Sequence, residues 1–385
     1  MATQSDIQRD TREHNVPRPS RRRFWVRRAG VAIVVLLVWP AWSIAGALTA
    51  PGADSTAARL AEWARFHGLG SVVTGLETVQ YKLDPPKIGG SLASAIPTVA
   101  AVSSPQPAAS LKVEPAAIPA QVQPALPTEG LWQPLVTVHG KPAIQAAFVR
   151  PDAQHTSYLT GVALLDQKLV KLVLHPGSKV PGGTGWSQPF DVPPAEQDSL
   201  LATFNSGFTM VDANGGYWQD GQTAAPLQAG AASMVVYKDG HVDVTSWSGA
   251  APGPDVAAVR QNLGMLVDNG QIAPDIDSTT TRTWGKTIGN ATYVWRTALG
   301  IRQDGSLVFV VGDALSVHTL ANIMRDAGAI RAMELDINKS WTNFMSYTHP
   351  SAGVALPHML TADEQPTPTR YLQPSSRDFV AVFPR

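Results

Sequence analysis

A chain of 385 residues with no cysteine and 30 basic against 30 acidic residues excludes a disulfide-stapled scaffold, so whatever folds here stands on its core. The neutrality hides an asymmetry: residues 1–28 hold eight arginines against three acids, leaving 22 basic and 27 acidic residues for the rest. A mildly acidic main body gives no support to nucleic-acid binding.

In chain order, the first element is the basic tail, with Arg21, Arg22, Arg23, Arg27 and Arg28 crowded at its end. Ala29 to Ala50 contains no charged residue, and 22 residues at ~1.5 Å each cover about one hydrocarbon thickness. Residues 29–50 therefore read as a single transmembrane helix, with the N-terminus cytoplasmic and the C-terminal part extracytoplasmic. A cleaved signal is the alternative reading. Pro40 splits the run, Ala45-Gly46-Ala47 fits a small-x-small cleavage site, and Ser20-Arg21-Arg22-Arg23-Phe24 fits a twin-arginine signal. Cleavage near Ala47 would make the protein secreted, and both readings export the rest of the chain.

Residues 51–128 read as a short helix and a stalk. Ser55 to Gly70 places Leu60, Trp63, Ala64 and His67 on one helical face, as a collar near the bilayer, with Gly68 as a stop. Nine prolines and ten alanines between Pro85 and Thr128 predict an extended spacer with no core of its own.

Residues 129–385 hold seven of the eleven tryptophans and suit one large domain. Hairpins are predicted at Asp166-Gln167, at Lys238-Asp239-Gly240, at Asn269-Gly270 and at Gln303-Asp304-Gly305, where Gly or Asn supplies positive φ. One helix is marked by Ser316 as cap, by Val317, Leu320, Ile323, Met324 and Ala327 on one face, and by Gly328 as stop. The strand Ile330 to Asp336 comes next. The fold class is α+β: a mostly antiparallel or mixed β-sheet domain with packed helices, preceded by the single N-terminal transmembrane helix.

Four polar strand ends are candidates for chemistry. Asn205, Ser206 and Gly207 combine an amide with a backbone open to close approach. Arg296 stands at the entry of an apolar strand, where its fork suits phosphate or carboxylate; the competing reading is a structural ion pair with Glu334 or Asp336. Asp313 ends the strand Val310 to Asp313, and the competing reading there is an ordinary turn acid. Glu334 and Asp336 share a strand face, so their mutual repulsion would keep one protonated, with Asn338, Lys339 and Ser340 beside them to bind phosphate. No P-loop, nucleophile elbow, H-E-x-x-H or cysteine zinc pattern is present. No cofactor is expected, and a divalent metal is left open.

Together these segments resemble the phosphodiester glycosidase family over roughly Leu159 to Pro384. Its Asn-Gly-Gly-Phe-Phe segment matches Asn205-Ser206-Gly207-Phe208, and its Arg-Thr-Ala-Ile-Gly segment matches Arg296-Thr297-Ala298-Leu299-Gly300. Thr319-Leu320 and Gly328-Ala329 match the family's helix start and the strand after it. Its Leu-Asp-Gly-Gly-Gly-Ser-Ser loop reads here Leu335-Asp336-Ile337-Asn338-Lys339-Ser340-Trp341, a departure that replaces flexible glycines and adds a cation. The resemblance implies a hydrolase of glycosyl phosphodiesters or related cell-envelope glycans. In it Asp336 with Asp313 or Glu334 supplies acid and base, and Asn205, Gly207, Arg296, Asn338, Lys339 and Ser340 hold substrate. The alternative is a non-catalytic envelope-glycan-binding module on the same fold, with exposed Trp341, Trp218 or Trp284 stacking on sugar rings.

Overall fold

A computed structural model describes residues 38–98, 115–278, 280–285, 287 and 291–385. The chain divides into Met1–Ala50 and Pro51–Arg385. In the first unit residues 38–48 are helical. The basic tail and part of the predicted 29–50 span lie outside the described residues, and among those described no helix is long and apolar enough to cross a membrane.

The second unit is built on three sheets whose strand pairs are all antiparallel. In spatial order the eight-stranded sheet runs β1 (Gln133–Val138), β2 (Lys141–Val149), β3 (Thr160–Leu165), β14 (Leu307–Leu315), β13 (Val294–Arg302), β15 (Ala329–Glu334), β11 (Met265–Asp268) and β12 (Gln271–Ile272). A five-stranded sheet runs β7 (Gln222–Ala225), β6 (Tyr217–Gln219), β10 (Val256–Gln261), β8 (Ala232–Tyr237) and β9 (Val242–Ser246). The other runs β17 (Val354–Met359), β16 (Phe344–Ser351), β5 (Ala202–Asn205), β18 (Phe379–Pro384) and β4 (Val170–His175).

Three predicted hairpins form: β8 with β9, β11 with β12, and β13 with β14. At the second, Asn269 and Gly270 have φ of 49° and 74°, the left-handed pair that a two-residue hairpin turn demands. The fourth differs. After Asp166 the chain leaves the eight-stranded sheet, and β4 pairs with β18 instead of β3. Asp166 accepts from the backbone N–H groups of Lys168 and Leu169, so the same turn chemistry serves a sheet change.

Alternation along β14 gives the sheet two apolar faces. Val308 and Val310 join Leu320, Ala321, Ile323 and Met324 of the helix Val317–Asp326, which packs on one face. The Ser316 hydroxyl caps that helix by accepting from Thr319 N, as expected. Phe309 points the other way and meets Phe204 of β5 and Phe344 of β16, ring centroids 4.9 and 5.3 Å distant. Those three rings join the eight-stranded sheet to the sheet that carries Asn205.

The segment before the domain differs most from expectation. Ser55 caps α1 (Thr56–Ala64), and Gly68, with φ of 79°, breaks the helix, yet the chain re-enters helix as α2 (Gly70–Leu83). The result is a helical hairpin where a single short helix was predicted. The described parts of the Pro/Ala segment lie along the domain rather than standing off it. Ile96 and Ile118 are buried in its core, and Gln133 Nε2 donates to Pro97 O.

Phe309→Ala should lower unfolding free energy by about 3–5 kcal/mol, the cost of an aromatic cavity. Denaturant midpoints would show it; a change under ~1 kcal/mol would mean the ring trio does not join the sheets.

Candidate active site

β13 offers opposite faces at successive residues, and the site is built on that alternation. Thr297 faces the inter-sheet side, where its hydroxyl accepts from Asn205 Nδ2 (2.9 Å) and from the backbone N–H of Asp336 (3.0 Å). Asn205 Oδ1 accepts from Asn343 N at 3.1 Å. Backbone bonds from Thr297 N to Asp336 O and from Leu335 N to Thr297 O, both 2.8 Å, hold the same strand end. Asn205 therefore braces the carrier of Asp336; its side chain is spent inside the protein.

A second brace has no local signature in the sequence. Asn262 Nδ2 donates to Glu334 O (2.8 Å) and Leu335 O (3.1 Å), and its Oδ1 accepts from Phe208 N (3.1 Å). Beside it Arg260, fully buried, pairs with buried Asp378 at 2.6 Å and donates to Gln261 O and Phe208 O. A Cβ on Gly207 would stand 2.9 Å from Arg260 Nη2, so the glycine is needed for close approach of a guanidinium and not for a ligand. Arg260 and Arg377 carry the same signal as Arg296, a cation beside an apolar strand, at β10 and β18.

Arg296 realises its ion-pair reading. Its guanidinium pairs with Glu334, and it donates to Leu315 O (2.8 Å) and Thr292 O (3.3 Å). With its nitrogens so engaged it has little left for a phosphate. It lines a groove of about 930 Å³ with Asp152, Asp277, Tyr293 and His318. That groove is large, but its Asp277–His318 pair is solvent-exposed and it does not include Asp336. Burial raises Glu334's carboxyl, Arg296 opposes it, and the nearby Asp336 charge is the least of the causes. Burial comes first in raising Glu334, and the Asp336 charge adds to it in the same direction.

Asp336 lines a different cavity, about 150 Å³, with Asn338, Ile337, Arg377, Trp341, Phe208, Thr209, Asp212, Val294, Arg65 and Thr74. Its Oδ1 accepts from Ile337 N (2.7 Å) and Asn338 N (2.9 Å). Burial lifts its pKa to about 6, with Arg377, those two N–H groups and Arg260 pulling the other way. A carboxyl so placed can exchange a proton near neutral pH. The second carboxylate on this cavity is Asp212, on a loop that carries no motif in the sequence.

Asp313 and Glu334 do not reach this cavity. Asp313 accepts from Ala314 N at 2.7 Å; burial raises it, and the Lys339 charge acts against that. Ser340 O accepts from Arg370 Nη1 and its N–H donates to Asn338 Oδ1, so the loop of residues 337–341 closes on itself without glycine. Trp341 and Trp284 are buried at 4% exposure, which removes them as exposed sugar platforms. Trp341 instead lies between two guanidinium groups, Arg370 at 4.4 Å and Arg377 at 4.3 Å. Those arginines pair with the helical hairpin and its lead-in: Arg377 with Glu62 at 2.8 Å and Arg370 with Asp54 at 3.0 Å. Among the described residues no group of three His, Asp or Glu side chains is placed to hold a metal ion.

The family comparison falls on this region. The model of the phosphodiester glycosidase family matches residues 198–349. No curated protein matches the chain. Among solved structures, the catalytic domain of zebrafish N-acetylglucosamine-1-phosphodiester alpha-N-acetylglucosaminidase, auto-inhibited by its pro-peptide, is 16% identical; the match covers 64% of this chain and 85% of that one, with TM-score 0.43. A hypothetical protein from Synechocystis is 13% identical over 65% of this chain and 63% of that one, with TM-score 0.36.

Asp336 binds its proton more tightly in the native state, about 6 against 3.8, so wild-type stability falls as pH rises between those values. Asp336→Asn should therefore gain roughly 1–3 kcal/mol relative to wild type from pH 4 to pH 7, read from denaturant midpoints. A difference independent of pH would contradict the buried, raised carboxyl. Glu62→Ala should open the hairpin, speeding amide exchange over residues 56–83 by roughly a hundredfold, as losing a buried ion pair of ~3 kcal/mol implies. Unchanged exchange there would show that the pair does not hold it.

Asp336, Asn205 and Arg296 all lie in the matched stretch, and residues 198–349 carry the pattern of the phosphodiester glycosidase family.

Proposed function

We propose that this protein is a membrane-anchored, extracytoplasmic hydrolase of glycosyl phosphodiesters, acting through Asp336. The observation that carries the reading is a buried carboxyl of pKa about 6 on a cavity shared with Arg377 and a second carboxylate, Asp212, within a family-matched stretch. The anchor and the side of the membrane rest on the arginine-rich tail and the uncharged run 29–50.

The chemistry is a displacement at the anomeric carbon. Water adds to C1, the bond from C1 to the phosphate oxygen breaks, and the phosphomonoester leaves with the bonding electrons. Asp336 takes the proton of the attacking water, and the positive charge that develops on the sugar ring is supported by the carboxylates facing it. Phosphate is a good leaving group, so cationic side chains near its oxygens matter more than a strong acid. Arg377, which lines the Asp336 cavity, is better placed for that role than Arg296, which lines a different groove, and Lys339 lies on the adjoining groove.

On a chromogenic sugar phosphodiester, wild-type kcat/KM should show an inflection near pH 6, as the base loses its proton. Asp336→Asn should lower kcat/KM by about a hundredfold or more. Full activity in that variant, or glycan binding by wild type with no turnover of any sugar phosphodiester, would overturn the assignment and favour a binding module.

A further inference from the structure

The Asp336 cavity is small beside the ~300 Å³ of ordinary ligand sites, but it does not stand alone. It shares Arg65, Asn338 and Trp341 with a groove of about 620 Å³ whose other walls are Leu60, Trp63, Leu69, Val72 and Leu76, with Lys339 and Ser340 at its polar end. The hairpin supplies the apolar side of that groove, and the loop after Asp336 supplies the polar side.

The hairpin also keeps a long line of apolar side chains in water. Leu69, Val72, Leu76, Val79 and Leu83 are between 43% and 80% exposed. From Val72 on they recur at three- and four-residue steps, one side of α2, and Val72 to Leu83 spans about 16 Å at the helical rise. Apolar side chains kept in water along one line mark a binding surface. Two further facts select its occupant. Cationic Lys339 lines the groove next to Asn338, which lines both the groove and the Asp336 cavity, and this suits an anionic group there. The uncharged run 29–50 ends six residues before Thr56 in the chain, which fits a substrate drawn from a lipid surface.

We infer that the substrate is an amphiphile: a sugar joined through a phosphodiester to a lipid alcohol, with the sugar phosphate at Asp336 and Asn338 and the lipid chain along the α1–α2 groove and the α2 stripe. This rests on the hydrolase reading for its headgroup and adds the chemical class of the aglycone. The reaction then releases a free sugar and leaves the phosphate on the lipid.

The test uses the full chain in nanodiscs and two diesters of one sugar phosphate, with ethanol and with dodecanol, the dodecyl chain carrying a terminal diazirine. The dodecyl diester should have kcat/KM at least about tenfold above the ethyl diester, from burial of the added methylenes. Val72→Asp with Leu76→Asp should collapse that ratio toward one, and photo-adducts should map to residues 57–76 in wild type and be lost in the double variant. Both side chains are exposed, so the double variant should fold. Turnover of both diesters at equal kcat/KM, or adducts confined to sites outside the groove, would overturn the lipid inference and leave the hydrolase standing. Groove adducts without turnover of either diester would support the lipid site and bring down the hydrolase reading.

Discussion

Arg377 is a cation with 6% of its surface exposed, and a buried guanidinium must find negative charge or cost several kcal/mol. Its countercharges come from places far apart in the chain: Glu62 in α1, Asp336 after β15, and its neighbour Asp378, all of which hold it charged against the effect of burial. Trp341 closes one face of it. The position of the hairpin, the conformation of the 337–341 loop and the proton affinity of Asp336 are therefore not independent. Each is one side of the same electrostatic requirement.

That requirement also shapes the 337–341 loop, which reads Ile337-Asn338-Lys339 where the phosphodiester glycosidase pattern has three glycines. Glycines would leave a loop whose backbone N–H groups can turn toward an anion. Here Asp336 Oδ1 has already captured two backbone N–H groups, from Ile337 and Asn338, and Asn338 Oδ1 captures that of Ser340. Positive charge is supplied instead by side chains, Arg377 and Lys339. A fixed loop with side-chain cations trades backbone flexibility for preorganisation.

Local grammar is legible in this sequence and long-range partners are obscure. The Ser316 cap, the Gly328 stop and the Asn269-Gly270 turn are properties of a few adjacent residues, and each is found where expected. Asp166-Gln167 is equally strong as a turn, yet which strand comes next to β3 is decided by where β14 and β18 pack, which no local signal records. Arg296 shows the same limit. Its burial is readable from the apolar strand around it, and its two readings, phosphate ligand or ion pair, differ only in whether Glu334 points the same way. Asp336 is legible because an acid at the end of an apolar strand is rare enough to notice. Its setting is not, because Glu62, Arg377 and Asp212 are brought to it by chain segments 41 to 274 residues away. The hairpin is half visible: Gly68 does end α1, but nothing in a positive-φ glycine says whether the chain resumes as helix.

Ligand chemistry is assigned to the Asp336 cavity and not to the larger groove at Arg296, and the functional account stands or falls on that assignment. A crystal structure with a non-hydrolysable glycosyl phosphonate tests it most directly. The account predicts the phosphonate within hydrogen-bond reach of Arg377 or Lys339, with its sugar facing Asp336. A phosphonate seated against Arg296, Tyr293 and His318, with the Asp336 cavity unchanged, would contradict it.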